Sequence, residues 1–100
     1  MTKLRDLLNS RVLVADGAMG TMLQAQGDLD LERDFQGLEG CNEVLNLTRP
    51  DVVSTVHRAY LEAGSDCVET NTFGTNLAAL AEYGIVDRLV ELAEAGARIA

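Results

Sequence analysis

The sequence predicts an α/β fold with parallel strands, and three observations carry that prediction. A helix followed by a strand occurs twice along the chain, an order that implies parallel pairing. The first strand candidate, Val12-Leu13-Val14-Ala15, is a compact apolar run, the pattern of a strand covered on both faces. Each strand candidate also runs into a polar, glycine-bearing loop, where parallel folds gather their chemistry.

Leu4 to Asn9 reads as a short amphipathic lead-in helix, and Val12–Ala15 as the strand that ends at Asp16-Gly17. Gly17 and Gly20 bracket a tight connection into a helix over Thr21–Gln26, which Gly27 closes. The acid-rich stretch from Asp28 to Asp34, with Gly37 and Gly40, marks a long surface excursion. Thr48, Pro50 and Asp51 make a helix start, since Thr caps and Pro fits the first turn. Val52, Val53, Val56, Ala59, Tyr60 and Ala63 recur at helical spacing before Gly64 stops the run. Asp66-Cys67-Val68-Glu69-Thr70 is the second strand candidate. Asn76 or Thr75 caps a helix through Leu77, Ala78, Leu80 and Ala81, ending at Gly84. Ile85–Ala100 supplies the last helix, with Val86, Leu89, Val90, Leu92 and Ala93 on a broad apolar face. Two parallel strands alone cannot cover both faces of their sheet, and a complete barrel of parallel strands takes roughly 250 residues. The chain therefore reads as the truncated start of a larger domain, the alternative being a small α/β fold completed by dimerisation.

Composition narrows the function. An apolar fraction of 47% is ordinary for a folded chain, so disorder is not expected. Eight basic against 16 acidic residues give a net charge of −8, which repels phosphate backbones, and the arginines are scattered. No nucleic-acid partner is expected. No long uncharged apolar run exists, so no membrane span is expected either. The opening Met1-Thr2-Lys3-Leu4-Arg5-Asp6 lacks the pattern of a signal peptide, and two cysteines without a pairing pattern fit a reducing, cytoplasmic setting.

Two loops have residues that can carry chemistry. Asp16-Gly17-Ala18-Met19-Gly20-Thr21 places an acid after an apolar run and exposes backbone N–H groups at a helix start, a way to bind a carboxylate or phosphate. The plainer reading is a turn that needs glycine, with Asp16 as a cap. Its spacing is neither that of a dinucleotide loop nor that of a P-loop. Glu69-Thr70-Asn71-Thr72-Phe73-Gly74 sets polar residues just past a strand, costly to bury unless paired or used. A capping network around Asn71 and Thr72 is the plainer reading there. Cys41, Cys67 and His57 match no zinc signature; His57 falls inside a helix and reads as a packing or surface residue.

The two loops and one further block also carry a resemblance. Val14-Ala15-Asp16-Gly17-Ala18-Met19-Gly20-Thr21-Met22-Leu23, Gly40-Cys41-Asn42-Glu43-Val44-Leu45-Asn46-Leu47-Thr48-Arg49-Pro50 and Glu62–Gly74 resemble, in order, segments of the homocysteine S-methyltransferase family. The second block is similar to the cobalamin-dependent members. The resemblance implies a (β/α)₈ TIM barrel, of which residues 1–100 are the N-terminal portion of a homocysteine-binding domain, ending before the strands that carry the zinc ligands. It implies methyl transfer from methylcobalamin, recharged by 5-methyltetrahydrofolate, to the zinc-bound thiolate of homocysteine, giving methionine. Folate and cobalamin modules of the same longer chain would be the partners. Neither zinc nor cobalamin is expected to be held by residues 1–100, and these residues alone are expected to be inactive. Carried over by position, Asp16, Gly17, Ala18, Met19 and Gly20 surround the amino-acid part of homocysteine. Asn42 stands near the same mouth, and Glu69, Thr70, Asn71, Thr72 and Phe73 form the adjoining wall. No metal ligand and no catalytic residue is assigned. The rivals are a zinc methyltransferase with another donor, a non-catalytic α/β fragment, and an unrelated anion-binding module.

Overall fold

The structure is a computed structural model that describes residues 3–100. Met1 and Thr2, which entered the reading of the leader, lie outside the described residues. Among the described residues six α-helices follow one another: α1 (Leu4–Ser10), α2 (Gly20–Gln24), α3 (Leu45–Thr48), α4 (Pro50–Ala63), α5 (Leu77–Glu82) and α6 (Leu89–Ile99). Short 3₁₀ turns at Asn42–Val44 and Val86–Arg88 lead into α3 and α6.

The longest helix, α4, shows how residue types set the boundaries. Pro50 stands at its start, where the missing N–H costs nothing. Val52, Val53, Val56 and His57 fall on one face and are buried. Gly64 ends the helix at φ 115°, a left-handed conformation that only glycine adopts without strain. Thr48 does not cap α4 as its position implied. Its hydroxyl donates instead to the Asp34 carbonyl at 2.6 Å, and Arg49 occupies the cap position without a side-chain bond. The core joins Leu23 of α2, Leu45 of α3 and Val52, Val53 and Val56 of α4. Burying each such side chain stabilises the fold by roughly 1.5–3 kcal/mol. Met19, Met22, Leu29, Phe35, Tyr60 and Ile99 pack around it. α3 lies against both α4 and α6.

The expected α/β class and (β/α)₈ TIM barrel are overturned: among the described residues the fold is helical and has no strand. The two expected strands meet at a single isolated parallel bridge, Ala15 to Cys67. Asp66 N–H donates to Val14 O at 2.7 Å, and Asp16 N–H to Cys67 O at 3.1 Å. The physical reason is lack of cover. Val12 is 86% exposed and Val14 56% exposed, so the apolar run lacks the packing that makes a buried strand favourable. The last helix is also shorter than expected. Residues 86–88 form a 3₁₀ turn, and Val90 points outward while Leu92 and Gly96 are buried. No described helix is long and apolar enough to cross a membrane.

Candidate functional site

A cleft of about 280 Å³ opens between the loop that precedes α2 and the loop that precedes α5. Asp16, Gly17, Met19, Gly20, Asn42, Glu43, Glu69, Thr70, Asn71, Thr72 and Phe73 line it. Every residue placed there by the family resemblance is in this lining except Ala18.

The first wall is residues 16–20. Met19 packs on the core, which anchors the loop from beneath. The Tyr60 hydroxyl of α4 donates to the Ala18 carbonyl at 2.7 Å, so Ala18 is a tether to α4 rather than a lining residue. Gly17 permits that approach, because a Cβ there would stand 3.2 Å from the same hydroxyl. Among the described residues, no hydrogen bond of the chain uses the N–H groups from Gly17 to Gly20.

The second wall, residues 69–74, is held at three points. Both Asp16 carboxylate oxygens accept from Glu69 N–H, at 3.1 and 3.2 Å. Asn71, 5% exposed, donates through Nδ2 to Asn42 O and to Asn46 Oδ1, each at 3.0 Å. Asn46 Nδ2 answers by donating to Asn71 O at 2.8 Å and to Leu92 O at 3.3 Å. Glu43 Oε1 accepts from Gly74 N–H at 2.8 Å. The Thr70 and Thr72 hydroxyls pair at 2.6 Å. Phe73 reaches the mouth but is 98% exposed and walls nothing off. Of the two candidate caps for α5, Asn76 does the work, its Oδ1 accepting from Ala79 N–H at 2.8 Å. The Thr75 hydroxyl is buried without a partner.

Three carboxyl side chains, Asp16, Glu43 and Glu69, line the cleft, and no lysine or arginine does. Such a cleft favours a ligand with a cationic group. Glu43 was absent from the sequence-derived site. The signal for it was present: an acid directly before the apolar pair Val44-Leu45, where burial of a carboxylate needs a reason. His57 is buried on α4 with neither ring nitrogen hydrogen-bonded, and it is not part of the cleft lining. Burial pushes its pKa down from the usual value, and the nearby Asp16 charge opposes that shift.

The described residues do not fit a zinc centre. No group of three or more His, Cys, Asp or Glu among them converges for a metal. Cys41 is buried and its thiol is pushed up by burial; Cys67 contacts Val14 O at 3.9 Å; neither lines the cleft.

The methionine synthase of Mycobacterium tuberculosis is 62% identical to the chain over 99 residues, which is 99% of this chain and 8% of that protein. The methionine synthase of Mycobacterium leprae is 58% identical over 99 residues, again 99% of this chain and 8% of the relative. The chain thus spans under a tenth of the length of these curated relatives. The family model described as homocysteine S-methyltransferase matches residues 13–100. With the match running from the exposed Val12–Ala15 segment through both loops of the cleft to the end of α6, the chain belongs to the homocysteine S-methyltransferase family.

Proposed function

We propose that the cleft takes the amino-acid end of homocysteine in a methyltransferase that forms methionine. The observation that carries this reading is spatial. Asp16, Gly17, Met19 and Gly20, then Asn42, then residues 69–73 are far apart in sequence, and they line one cleft. In this reading the free N–H groups from Gly17 to Gly20 meet the substrate carboxylate, as backbone donors do at anion sites. Asp16 and Glu69 face the ammonium group. Both ends of a zwitterion are then held, and the thiol is left to point out of the acidic cleft.

The donor is a finer matter. The match to a general homocysteine S-methyltransferase family supports methyl transfer to homocysteine from an unspecified donor better than it supports methylcobalamin in particular. Methylcobalamin recharged by 5-methyltetrahydrofolate rests on the Asn42–Pro50 segment, and folate and cobalamin modules as partners rest on the same ground. Zinc, where the longer protein supplies it, would make the thiolate available at neutral pH. Residues 1–100 are assigned substrate positioning alone. A reducing, cytoplasmic setting belongs to the same proposal, since both cysteines are free.

Isothermal titration of homocysteine into the chain, and into the chain extended to the length of its relatives, tests the reading. Saturable binding that Asp16→Asn weakens by about tenfold, the worth of one charge-assisted hydrogen bond, is the expected result. No binding to either form contradicts it.

A further inference from the structure

We propose that Glu43 is a positioning residue for the cleft: its carboxylate clamps the far end of the 69–74 loop, so that the wall residues meet the substrate in register. This inference rests on the homocysteine reading for its functional part, and on geometry for the clamp itself. Glu43 is 9% exposed and sits in the 3₁₀ turn between buried Cys41 and Leu45, so its backbone is fixed by the core. Its Oε1 accepts from Gly74 N–H at 2.8 Å. A Cβ on Gly74 would stand 2.5 Å from Oε1 and 2.9 Å from Cδ of Glu43, so any side chain there displaces the carboxylate. The close approach of backbone to carboxylate therefore depends on both residues.

The other two anchors leave this end of the loop unheld. Asp16 grips the loop at Glu69, and the Asn42, Asn46 and Asn71 group grips it at the middle. Beyond Asn71 the loop's turn is closed by its own backbone, Thr75 N–H to Thr72 O at 3.0 Å and Asn76 N–H to Gly74 O at 2.9 Å. Glu43 ties that turn to the 3₁₀ segment, which itself carries Asn42 into the cleft. A carboxylate accepting from a backbone N–H is a stronger tie than a neutral pair.

The test compares Glu43→Ala, Glu43→Gln and Gly74→Ala in the full-length protein, reading amide exchange of the 69–76 segment and homocysteine affinity. Glutamine keeps an acceptor oxygen at the same place, so Glu43→Gln should retain slow exchange and bind within about threefold of the parent. Glu43→Ala should speed exchange across 69–76 and weaken homocysteine about tenfold. Gly74→Ala should loosen the same segment, and less so when combined with Glu43→Ala, because the clash is then relieved. Unchanged exchange in Glu43→Ala overturns the clamp. Faster exchange with unchanged affinity overturns the positioning role. Equal loss of affinity in Glu43→Gln and Glu43→Ala with exchange retained in the former also overturns it, since the charge would then act on the ligand directly. Absence of homocysteine binding in the parent overturns the substrate reading, and the exchange data still decide the clamp separately.

Discussion

Gly96 shows how one residue positions the cleft from outside it. It lies in α6 against the loop, where a Cβ would stand 2.7 Å from Thr72 Cγ2 and 2.9 Å from Asn46 Nδ2. Gly96→Ala is expected to destabilise the chain by about 1–3 kcal/mol through overpacking, despite alanine's better helix propensity. Urea denaturation checks this, and an unchanged midpoint would contradict it. His57 carries a pH prediction. Burial lowers its pKa below 6.5, so the fold holds the neutral ring. The stability it preserves is complete above pH 6.5 and is lost as pH falls through that value toward the depressed one. His57→Leu should flatten the acid limb of a stability–pH profile, and an unaltered limb would contradict it. At this scale the sequence was legible where a residue type is forced by backbone or chemistry, as with Pro50, Gly64 and Asn76. Glu43 was missed because its partner Gly74 is set only by the folded chain, whereas His57 was read as a packing or surface residue and is buried on α4.

Between α2 and the 3₁₀ turn before α3, the excursion over residues 25–41 is gathered by Arg49 together with Arg33. Arg49 contacts Asp28 at 3.2 Å, Asp34 at 3.4 Å and Asp51 at 3.1 Å. Asp34 is itself buried and also binds Arg33 at 2.8 Å. The hydrogen bond from Arg33 leads in holding the Asp34 carboxyl down at about 2, with Arg49 adding to it. Its contribution is present above the ordinary value of 3.8 and is lost as pH falls from there to about 2. Lysine cannot span three carboxylates as a guanidinium does, so Arg49→Lys should loosen the excursion nearly as much as Arg49→Ala. Limited proteolysis within 25–41 measures this; equal resistance of parent and Lys variant would contradict it. The acid-rich stretch announced a surface loop in the sequence. That Arg49 would gather it did not follow, because the pairing joins residues up to 21 positions apart. Helices were legible from periodicity and punctuation, α4 above all. The strands were misread because a strand is made by neighbours on both sides, and the 12–15 run has only the 66–67 segment beside it, leaving Val12 and Val14 exposed.

Across the whole chain, the radius of gyration of 14.8 Å exceeds the roughly 13 Å of a compact domain of this size. The excess fits a helical core with an exposed Val12–Ala15 segment at its side. The two loops of the cleft are held by different elements: α4 and the core hold residues 16–20, and α3 with α6 hold residues 69–74. The residues that line the cleft, Glu43 apart, are named from family resemblance. Their convergence into one cleft was not derivable from spacing, since it depends on the Asn46–Asn71 and Glu43–Gly74 ties.

In the proposed function these two loops form one binding surface for homocysteine. Hydrogen exchange of the full-length protein, followed peptide by peptide with and without homocysteine, tests it most directly. Saturating homocysteine is expected to slow exchange in residues 16–20 and 69–74 together, with one shared concentration dependence. Homocysteine that binds while leaving both segments unchanged, or protects only one of them, would contradict it.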